Sequence, residues 1–242
     1  MKEKIIIHNL HKSFGQQIIF SGLNLTVYEG EILCIIGKSG SGKSVLLKHC
    51  IGIIKPDSGT ISVDGQPLTY TDDSAILKKF GVLFQGGALF DSMNVYDNIA
   101  FPLRRQGISE EVIAHKVPEL LAHVGLKGIE SKSPSELSGG IQKRVALARA
   151  IAKSPEIMLY DEPTTGVDPI TAGSVDRLIV YMRNTFGMTS VVVTHDMRSA
   201  FRIADRIAML HNGTILFEGT PQQLQECQDA VVRQFIAGKA SA

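Results

Sequence analysis

The sequence predicts an α/β fold built on a mostly parallel sheet, because apolar segments of strand length alternate with helical patterns. Three of the four principal segments are almost continuously apolar, as parallel strands covered on both faces usually are. The four segments are EILCIIG (31–37), KFGVLFQ (79–85), EIMLYDE (156–162) and TSVVVTH (189–195). The chain has 242 residues, 44% hydrophobic and 20% charged, and is long enough to bury a sizeable core.

Two short segments near the start of the chain predict an antiparallel edge. KIIIHNL (4–10) and SGLNLTVYEG (21–30) alternate between apolar and polar residues, the pattern of strands with one exposed face. Farther on, GTISVDGQPL (59–68) carries an Asp-Gly pair that favours a tight hairpin turn. We therefore expect a small antiparallel part beside the parallel strands.

A helical pattern occupies residues 94–154, with LSGGIQKRVALARAIAKSP (137–155) as its clearest helix. This block predicts a helical subdomain inserted into a sheet core, all within one domain. The predicted divisions are a domain at 1–238, with its sheet core at 1–87 and 155–220, a helical subdomain at about 88–154, and a short C-terminal helical tail at 221–242.

Composition and charge argue against several classes of protein. The formal net charge is +1, so overall charge favours neither nucleic acid nor an anionic membrane surface. The start, MKEKIIIHNLHKSF, has too short an apolar run for a signal peptide, and no stretch approaches a membrane-spanning length. Cys34, Cys50 and Cys227 lack metal-binding spacing, and we expect buried thiols in a reducing compartment. These features predict a soluble, cytoplasmic protein.

GKSGSGKS at 37–44 follows a predicted strand and opens a helical run, the context of a phosphate-binding loop. Its glycines allow backbone N–H groups to close around phosphates, and the helix N-terminus favours negative charge. Lys43 would reach the β- and γ-phosphates, and the hydroxyl of Ser44 could ligate magnesium. The alternative is a glycine-rich turn that binds nothing, but the strand-loop-helix context argues against it.

Polar residues stand at the carboxyl ends of the other three principal strands. They are Gln85, the adjacent pair Asp161 and Glu162, and His195. In an open parallel sheet these ends form the ligand crevice, so we expect the four side chains to converge. Asp161 suits a magnesium partner, and Glu162 suits a base that activates water. Either carboxylate alone would more often be a solvated loop residue, and the histidine alone a structural one; their joint positions favour a site.

LSGGIQKR at 137–144 is not explained by a phosphate-binding loop alone. Ser138 can cap the helix that follows, and Gly139 and Gly140 leave its first N–H groups open to an anion. A glycine-rich helix start is the plainer interpretation of this segment by itself. Its position in the helical block, far along the chain from the first loop, indicates a second phosphate-binding element.

Together these segments resemble the motifs of the nucleotide-binding subunit of ABC transporters. GKSGSGKS is similar to Walker A, Gln85 to the Q-loop, LSGGIQ to the signature, IMLYDEP to Walker B, GVDP (166–169) to the D-loop and THD (194–196) to the H-loop. Phe14 occupies the position of the aromatic residue that stacks on adenine in this family, although by itself it would more often be a core residue. The resemblance covers about residues 5–220, with all motifs in family order.

The resemblance implies a P-loop ATPase that binds ATP and Mg2+ as a dimer of two copies, each phosphate-binding loop facing the partner's signature helix. It implies ATP contacts from Phe14, Gly37, Lys38, Ser39, Gly40, Ser41, Gly42, Lys43, Ser44, Val45, Gln85, Ser138, Gly139 and Gly140, magnesium contacts from Ser44, Gln85 and Asp161, and catalytic roles for Lys43, Glu162 and His195. The chain departs from the family at Ile141, which replaces the usual glutamine after the two glycines, so no glutamine contact is expected from that position.

A narrower resemblance is to the ATPase of Mla-type, MCE-associated lipid transporters. It rests on Val45 in GKSVLLKH, where most family members have threonine, on GIIKPDSG (52–59), on the GALFDS element and on VVRQFIAG (231–238). It implies a separate membrane permease as partner, with an MCE-type lipid-binding protein and a small regulatory subunit in the same complex. It also implies phospholipid transport for outer-membrane lipid homeostasis, with this chain on the cytoplasmic face of the inner membrane.

Three other functions are open at this stage. A soluble ABC protein acting on DNA, RNA or ribosomes usually carries two nucleotide domains, coiled-coil insertions or basic arms, which this sequence lacks, so no nucleic-acid partner is expected. The signature segment argues against a P-loop kinase, and a GTPase would need an NKxD motif that is missing. An importer of amino acids or another polar solute is the nearest alternative, because the ATPase core does not encode the cargo.

The apolar segment LFQGGALFDSMNVYDNIAFPL at 83–103 has a use in this interpretation. The glycines at 86–87 can act as a joint, and Asn94 can cap a short helix that ends near Pro102. The apolar residues are Val95 and Ile99 on one face of that helix, and Leu89, Phe90 and Met93 before it. We predict that part of the stretch lines a groove for a cytoplasmic helix of the membrane partner. The alternative is that these residues fill the core of the helical subdomain.

Overall fold

The computed structural model describes residues 1–70 and 75–238, so the last four residues of the expected tail lie outside the described residues. The described strands are β1 (Glu3–Phe14), β2 (Gln17–Tyr28), β3 (Ile32–Ile36), β4 (Ser58–Val63), β5 (Gln66–Pro67), β6 (Phe80–Leu83), β7 (Ile157–Asp161), β8 (Thr189–Thr194), β9 (Arg206–His211) and β10 (Thr214–Gly219). The described α-helices are α1 (Lys43–Cys50), α2 (Val95–Arg104), α3 (Glu110–His123), α4 (Gly139–Ile151), α5 (Pro169–Phe186), α6 (Met197–Ile203), α7 (Pro221–Glu226) and α8 (Ala230–Ile236). None of the described helices is long and apolar enough to cross a bilayer.

A six-stranded sheet in the order β10-β9-β3-β8-β7-β6 forms the centre of the molecule. Its ladders from β9 to β6 are parallel, and β10 pairs with β9 in the antiparallel sense. The four segments predicted as parallel strands are β3, β8, β7 and β6, which lie side by side. The predicted fold class, a mostly parallel sheet with an antiparallel N-terminal part, is therefore confirmed.

The antiparallel part is a four-stranded sheet in the order β2-β1-β4-β5. The hairpin between β4 and β5 turns through Asp64 and Gly65, whose φ angles are +50° and +74°, as the Asp-Gly pair predicts. Buried Lys4 of β1 joins this sheet to the central one. Its Nζ lies 3.0 Å from Asp64 Oδ1 and 2.5 Å from Glu156 Oε2, just before β7.

Strand β3 shows why its sequence is continuously apolar. Its alternate residues Ile32, Cys34 and Ile36 belong to a core that includes the helices of residues 95–151, whereas Leu33 and Ile35 belong to a core beneath the antiparallel sheet. Both faces of the strand are therefore covered, as expected for a central parallel strand.

Two of the three cysteines are buried as predicted. Cys34 and Cys50 are buried as expected, but Cys227 is only partly buried. Cys227 follows α7, and its side chain packs at the margin of the core that contains Leu224 of that helix.

The helix after the Gly-Gly pair begins as predicted and ends later. Asn94 caps α2 by accepting a hydrogen bond from the N–H of Asp97 at 2.7 Å. The predicted end near Pro102 is two residues short, because α2 continues to Arg104. The proline removes one backbone donor, but Leu103 beyond it is fully buried and holds the last turn against the core.

Strand β6 packs closely on the end of α4 because residue 81 has no side chain. A Cβ atom at Gly81 would lie 2.4 Å from Met158 Sδ and 2.7 Å from the carbonyl oxygen of Ala150. The second distance is to backbone, which cannot rotate away. Gly81 therefore sets how near α4 lies to the strand that leads to Gln85.

We expect Gly81→Ala to lower the free energy of unfolding by about 1–3 kcal/mol, the usual effect of forcing extra atoms into a packed core. Urea denaturation measures this change. Gly139→Ala is the control, because a Cβ there meets nothing within 4 Å. Equal stability of Gly81→Ala and the parent chain would show that β6 and α4 can move apart freely.

Candidate functional site

The loop between β3 and α1 lies at the carboxyl edge of the central sheet. Gly40 and Gly42 have φ angles of +77° and +103°, which glycine adopts readily. A Cβ atom at Gly42 would lie 2.8 Å from Ile19 Cγ2 and 3.0 Å from the Phe20 ring, so the loop rests directly on β2. Because α1 begins at Lys43, the first N–H groups of this helix have no intrahelical acceptor and are available to an anion.

Lys43 is buried within this loop. Its Nζ donates to the carbonyl oxygens of Gly37 at 2.9 Å and Lys38 at 3.1 Å, and lies 3.8 Å from Glu162 Oε1. Burial lowers the pKa of Lys43 below its ordinary value, and the carboxylates of Glu162 and Asp161 oppose that shift. The ammonium group is desolvated and only distantly paired with an acid, which suits it to bind a phosphate oxygen.

Side chains with oxygen atoms that can ligate a metal lie beside Lys43. The hydroxyl of Ser44 donates to Asp161 Oδ1 at 2.7 Å, and Gln85 lines the same cavity of about 270 Å3 as Ser44. Hydroxyl, carboxylate and amide oxygens are the ligands that Mg2+ prefers, and this ion usually completes its shell with water and phosphate. The residues present therefore fit a magnesium ion bound together with a phosphate, although the described residues contain no group of three or more His, Cys, Asp or Glu placed to hold a metal ion by themselves.

Glu162 is held by three neighbours. His195 Nδ1 lies 2.8 Å from its Oε2, the hydroxyl of Thr165 donates to the same oxygen at 3.0 Å, and its own N–H donates to Val193 O at 2.9 Å. The φ angle of Glu162 is +49°, a left-handed conformation that is unfavourable for a residue with a side chain. Such strain persists only where the surroundings enforce it, and it is concentrated at functional sites.

Many of the predicted nucleotide residues line one cavity. They are Ser39, Gly40, Gly42, Lys43, Ser44, Val45, Gln85, Glu162 and His195. Lys38 and Ser41 line an adjoining cavity of about 250 Å3, and Gly37 lies where a Cβ would meet Leu210 O at 2.6 Å. Gln85 lies two residues past β6 rather than at its end.

Phe14, at the end of β1, is 48% exposed, which argues against the alternative that it is a core residue. The ammonium group of Lys12 lies 5.3 Å from its ring centroid. An aromatic ring exposed to this extent can receive a flat base.

The signature residues lie elsewhere. Ser138 and Gly139 are exposed at the start of α4, and neither they nor Gly140 line the cavity of the phosphate-binding loop. Ser138 occupies the N-cap position, but its side chain makes no capping hydrogen bond, contrary to expectation. A Cβ at Gly140 would lie 2.5 Å from Thr171 Cγ2, so the start of α4 packs on the start of α5. The fold therefore leaves Ser138 and Gly139 on the surface, away from the phosphate-binding loop of the same chain.

Sequence reasoning missed two basic residues on the buried side of α4. Lys143 Nζ donates to Pro163 O at 2.7 Å and Thr165 O at 2.6 Å, in the loop that follows Glu162. Arg149 donates to Gly87 O at 3.0 Å, in the segment that follows Gln85. A signal was present, because both charges interrupt the apolar pattern of the helix, where a basic residue needs a buried acceptor.

Known proteins resemble this chain in sequence and in fold. A family model described as ABC transporter matches residues 20–165. The intermembrane phospholipid transport system ATP-binding protein MlaF of Haemophilus influenzae is 40% identical over 245 residues, covering 99% of this chain and 93% of that protein.

A second relative carries a different description. The probable ribonucleotide transport ATP-binding protein mkl of Mycobacterium bovis is 41% identical over 243 residues, covering 99% of this chain and 68% of that protein. Among solved structures, a dimeric ATP-binding cassette in a post-hydrolysis state bound to ADP and Pi superposes with a TM-score of 0.81. It is 32% identical and covers 90% of this chain and 98% of that one.

We expect Glu162→Gln to slow ATP hydrolysis by about 10²–10⁴-fold, the usual loss when a general base is removed. ATP binding should persist because Lys43 and Asp161 are unchanged. Steady-state turnover and equilibrium ATP binding measure the two effects, and size-exclusion chromatography with ATP and Mg2+ should show a longer-lived dimer. Glu111→Gln, an exposed carboxylate on α3, is the control. Normal turnover of Glu162→Gln would place the base elsewhere.

Proposed function

The chain belongs to the ABC transporter family of ATP-binding subunits and is an ATPase, and on this premise we propose that it powers phospholipid transport at a bacterial inner membrane, for outer-membrane lipid homeostasis. We infer the phospholipid cargo from the similarity to MlaF, which extends over nearly the full length of both chains. Ribonucleotide transport is the second candidate, because the relative described in those terms is 41% identical to this chain, although the chain covers only 68% of it.

The residues that line the cavity support a separate role for each during hydrolysis. Lys43 would neutralise charge on the γ-phosphate, and Glu162 would accept a proton from the attacking water. His195, 2.8 Å from the Glu162 carboxylate, would orient it together with the γ-phosphate or the water. Magnesium, held by Ser44 and Asp161 with Gln85, would neutralise further phosphate charge.

The placement of the signature residues supports an ATP sandwich between two copies. Ser138, Gly139 and Gly140 begin α4 away from the phosphate-binding loop, so a nucleotide that touches both elements requires a second chain. The related cassette bound to ADP and Pi is itself dimeric. A head-to-tail pairing of the two elements is self-complementary and closes as a two-fold dimer.

The remaining partners follow from the transport proposal. We propose that the chain binds a separate membrane permease on the cytoplasmic face of the inner membrane, in a complex that includes an MCE-type lipid-binding protein and a small regulatory subunit. Nucleic acid has no part in this function, consistent with the net charge of +1.

The segment after Gln85 is built to carry motion towards such a permease. Gly86 and Gly87 have φ angles of +77° and +82°, and beyond them the chain is pinned to α2. Fully buried Asn98 accepts a hydrogen bond from Phe90 N at 2.8 Å and donates to the carbonyl oxygens of Phe90 and Met93, each at 3.1 Å. We therefore propose that the helical subdomain at about 88–154 moves as a unit about the joint at 86–87.

The surface of that segment divides in two. Val95 and Ile99 are fully buried, as the core interpretation requires, and Leu89 packs partly against the same core. Phe90 is 41% exposed, and Arg149 lies over its ring at 5.4 Å. Phe90 is thus the residue best placed to meet a cytoplasmic helix of the permease.

Phe90→Asp should leave folding and ATP affinity near those of the parent while weakening permease binding and transport, because it charges an exposed apolar contact. Leu89→Asp should also weaken permease binding and transport, and it should lower the stability somewhat because the Leu89 side chain is partly buried against the core. Copurification with the permease and thermal unfolding measure the two effects. Val112→Asp, on the 44%-exposed Val112 of α3, is the matched control. Normal transport by Phe90→Asp, or its failure to fold, would contradict the coupling role.

The cargo is tested by reconstituting the chain with the permease that copurifies with it. We expect ATP-dependent transfer of a fluorescent phospholipid between vesicles and no uptake of labelled ribonucleotides. Lys43→Ala in the same complex should abolish transfer, which separates energised transport from leakage. Ribonucleotide uptake without lipid transfer would replace the phospholipid proposal with the second candidate.

A further inference from the structure

Lys143 places a buried positive charge against main-chain oxygens rather than an acid. The residue is 7% exposed, and its Nζ donates to Pro163 O at 2.7 Å and Thr165 O at 2.6 Å. Within the described parts of the chain it forms no ion pair. Burial lowers the pKa of Lys143, with the nearby Glu162 carboxylate acting in the opposite direction. A buried ammonium group without a salt bridge is unfavourable for stability, so its presence calls for a role.

The two acceptors lie in the loop that follows Glu162. They flank Thr164, which is itself buried, so the ammonium group clamps the loop on both sides of one residue. Thr165 continues the connection, because its hydroxyl donates to Glu162 Oε2 at 3.0 Å and its N–H donates to Glu162 O at 3.2 Å. Lys143 therefore reaches the Glu162 carboxylate through one intervening residue.

Glu162 needs such support because its backbone is left-handed, with φ at +49°. A non-glycine residue relaxes from this region unless neighbouring contacts hold it there. A relaxed Glu162 would turn its carboxylate away from its present position near Lys43 and His195. The clamp on the following loop opposes that relaxation.

The other end of the connection is the start of α4. Lys143 lies three residues after Gly140, one helical turn into the signature helix. One side chain thus joins the helix that begins with the signature glycines to the loop that orients Glu162.

We propose that Lys143 is a positioning residue for ATP hydrolysis, which holds the loop after Glu162 in its active conformation. The same contacts couple that conformation to the position of the signature helix, α4. The inference rests on the proposed role of Glu162 as general base. In the proposed dimer, α4 contacts nucleotide at one site while Glu162 of the same chain serves the other. The Lys143 clamp then transmits nucleotide engagement from one site to the base of the second.

The test compares three replacements in the full chain. Lys143→Met keeps the length and removes the donors, and we expect it to lower kcat at least tenfold with ATP affinity within twofold of the parent. Lys143→Arg, which keeps the charge and donors, and Lys143→Gln, which keeps donors alone, should recover part of the loss. Lys153→Met, an exposed lysine just beyond α4, is the control and should change nothing.

A double-mutant cycle separates positioning from general stability. In the Glu162→Gln background, Lys143→Met should lower kcat by less than twofold further, because the group it positions is gone. Independent effects of the two substitutions, or a normal kcat for Lys143→Met, would overturn the inference. Should Lys143→Met fail to fold, Thr165→Val serves instead, since it removes only the hydroxyl contact to Glu162 and should still lower kcat several-fold; a normal kcat for it would equally overturn the inference.

The same variants distinguish failure of the inference from failure of the proposed function. If Glu162→Gln alone retains normal turnover, the general-base role fails and the inference with it. If Glu162→Gln loses turnover while Lys143→Met keeps it, only the positioning role of Lys143 fails.

Discussion

The parallel pairing of β3, β8 and β7 is the constraint on which the site depends. In this register Ile36 is paired with Thr194, and Asp161 with Val193, so the three strands end at one edge. The phosphate-binding loop, the adjacent carboxylates and His195 each continue directly from one of these ends. Residues that are more than a hundred positions apart, such as Ser44 and Asp161, are thereby brought within 2.7 Å.

Two buried lysines show how this protein stabilises loops that lack ladder hydrogen bonds. Lys43 binds the carbonyl oxygens of the loop before α1, and Lys143 binds those of the loop after β7. In both cases burial removes the ammonium group from water and lowers its pKa. The difference lies in position: Lys43 lines the cavity and can exchange its carbonyls for phosphate, whereas Lys143 lies outside that cavity and donates only to the loop after β7.

The signature helix is the element that connects these regions. Its first residues are exposed, Lys143 reaches the loop after Glu162, and Arg149 at its far end reaches Gly87 beside Phe90. A shift of α4 would therefore change contacts both at the nucleotide cavity and at the surface proposed to meet the permease. Tight packing of β6 on the end of α4, which Gly81 permits, leaves little slack in this connection.

Sequence alone determined the features that depend on neighbouring residues. The apolar runs predicted the four central strands, Asp-Gly predicted the β4–β5 turn, and Asn94 predicted the start of α2, because each pattern acts within a few residues. Tertiary structure alone decided the contacts between distant segments. The approach of His195 to Glu162, the reach of Lys143 and the persistence of α2 past Pro102 depend on packing against elements far along the chain. A local pattern cannot encode those distances, because they depend on the pairing of the strands and on how α4 packs against the sheet.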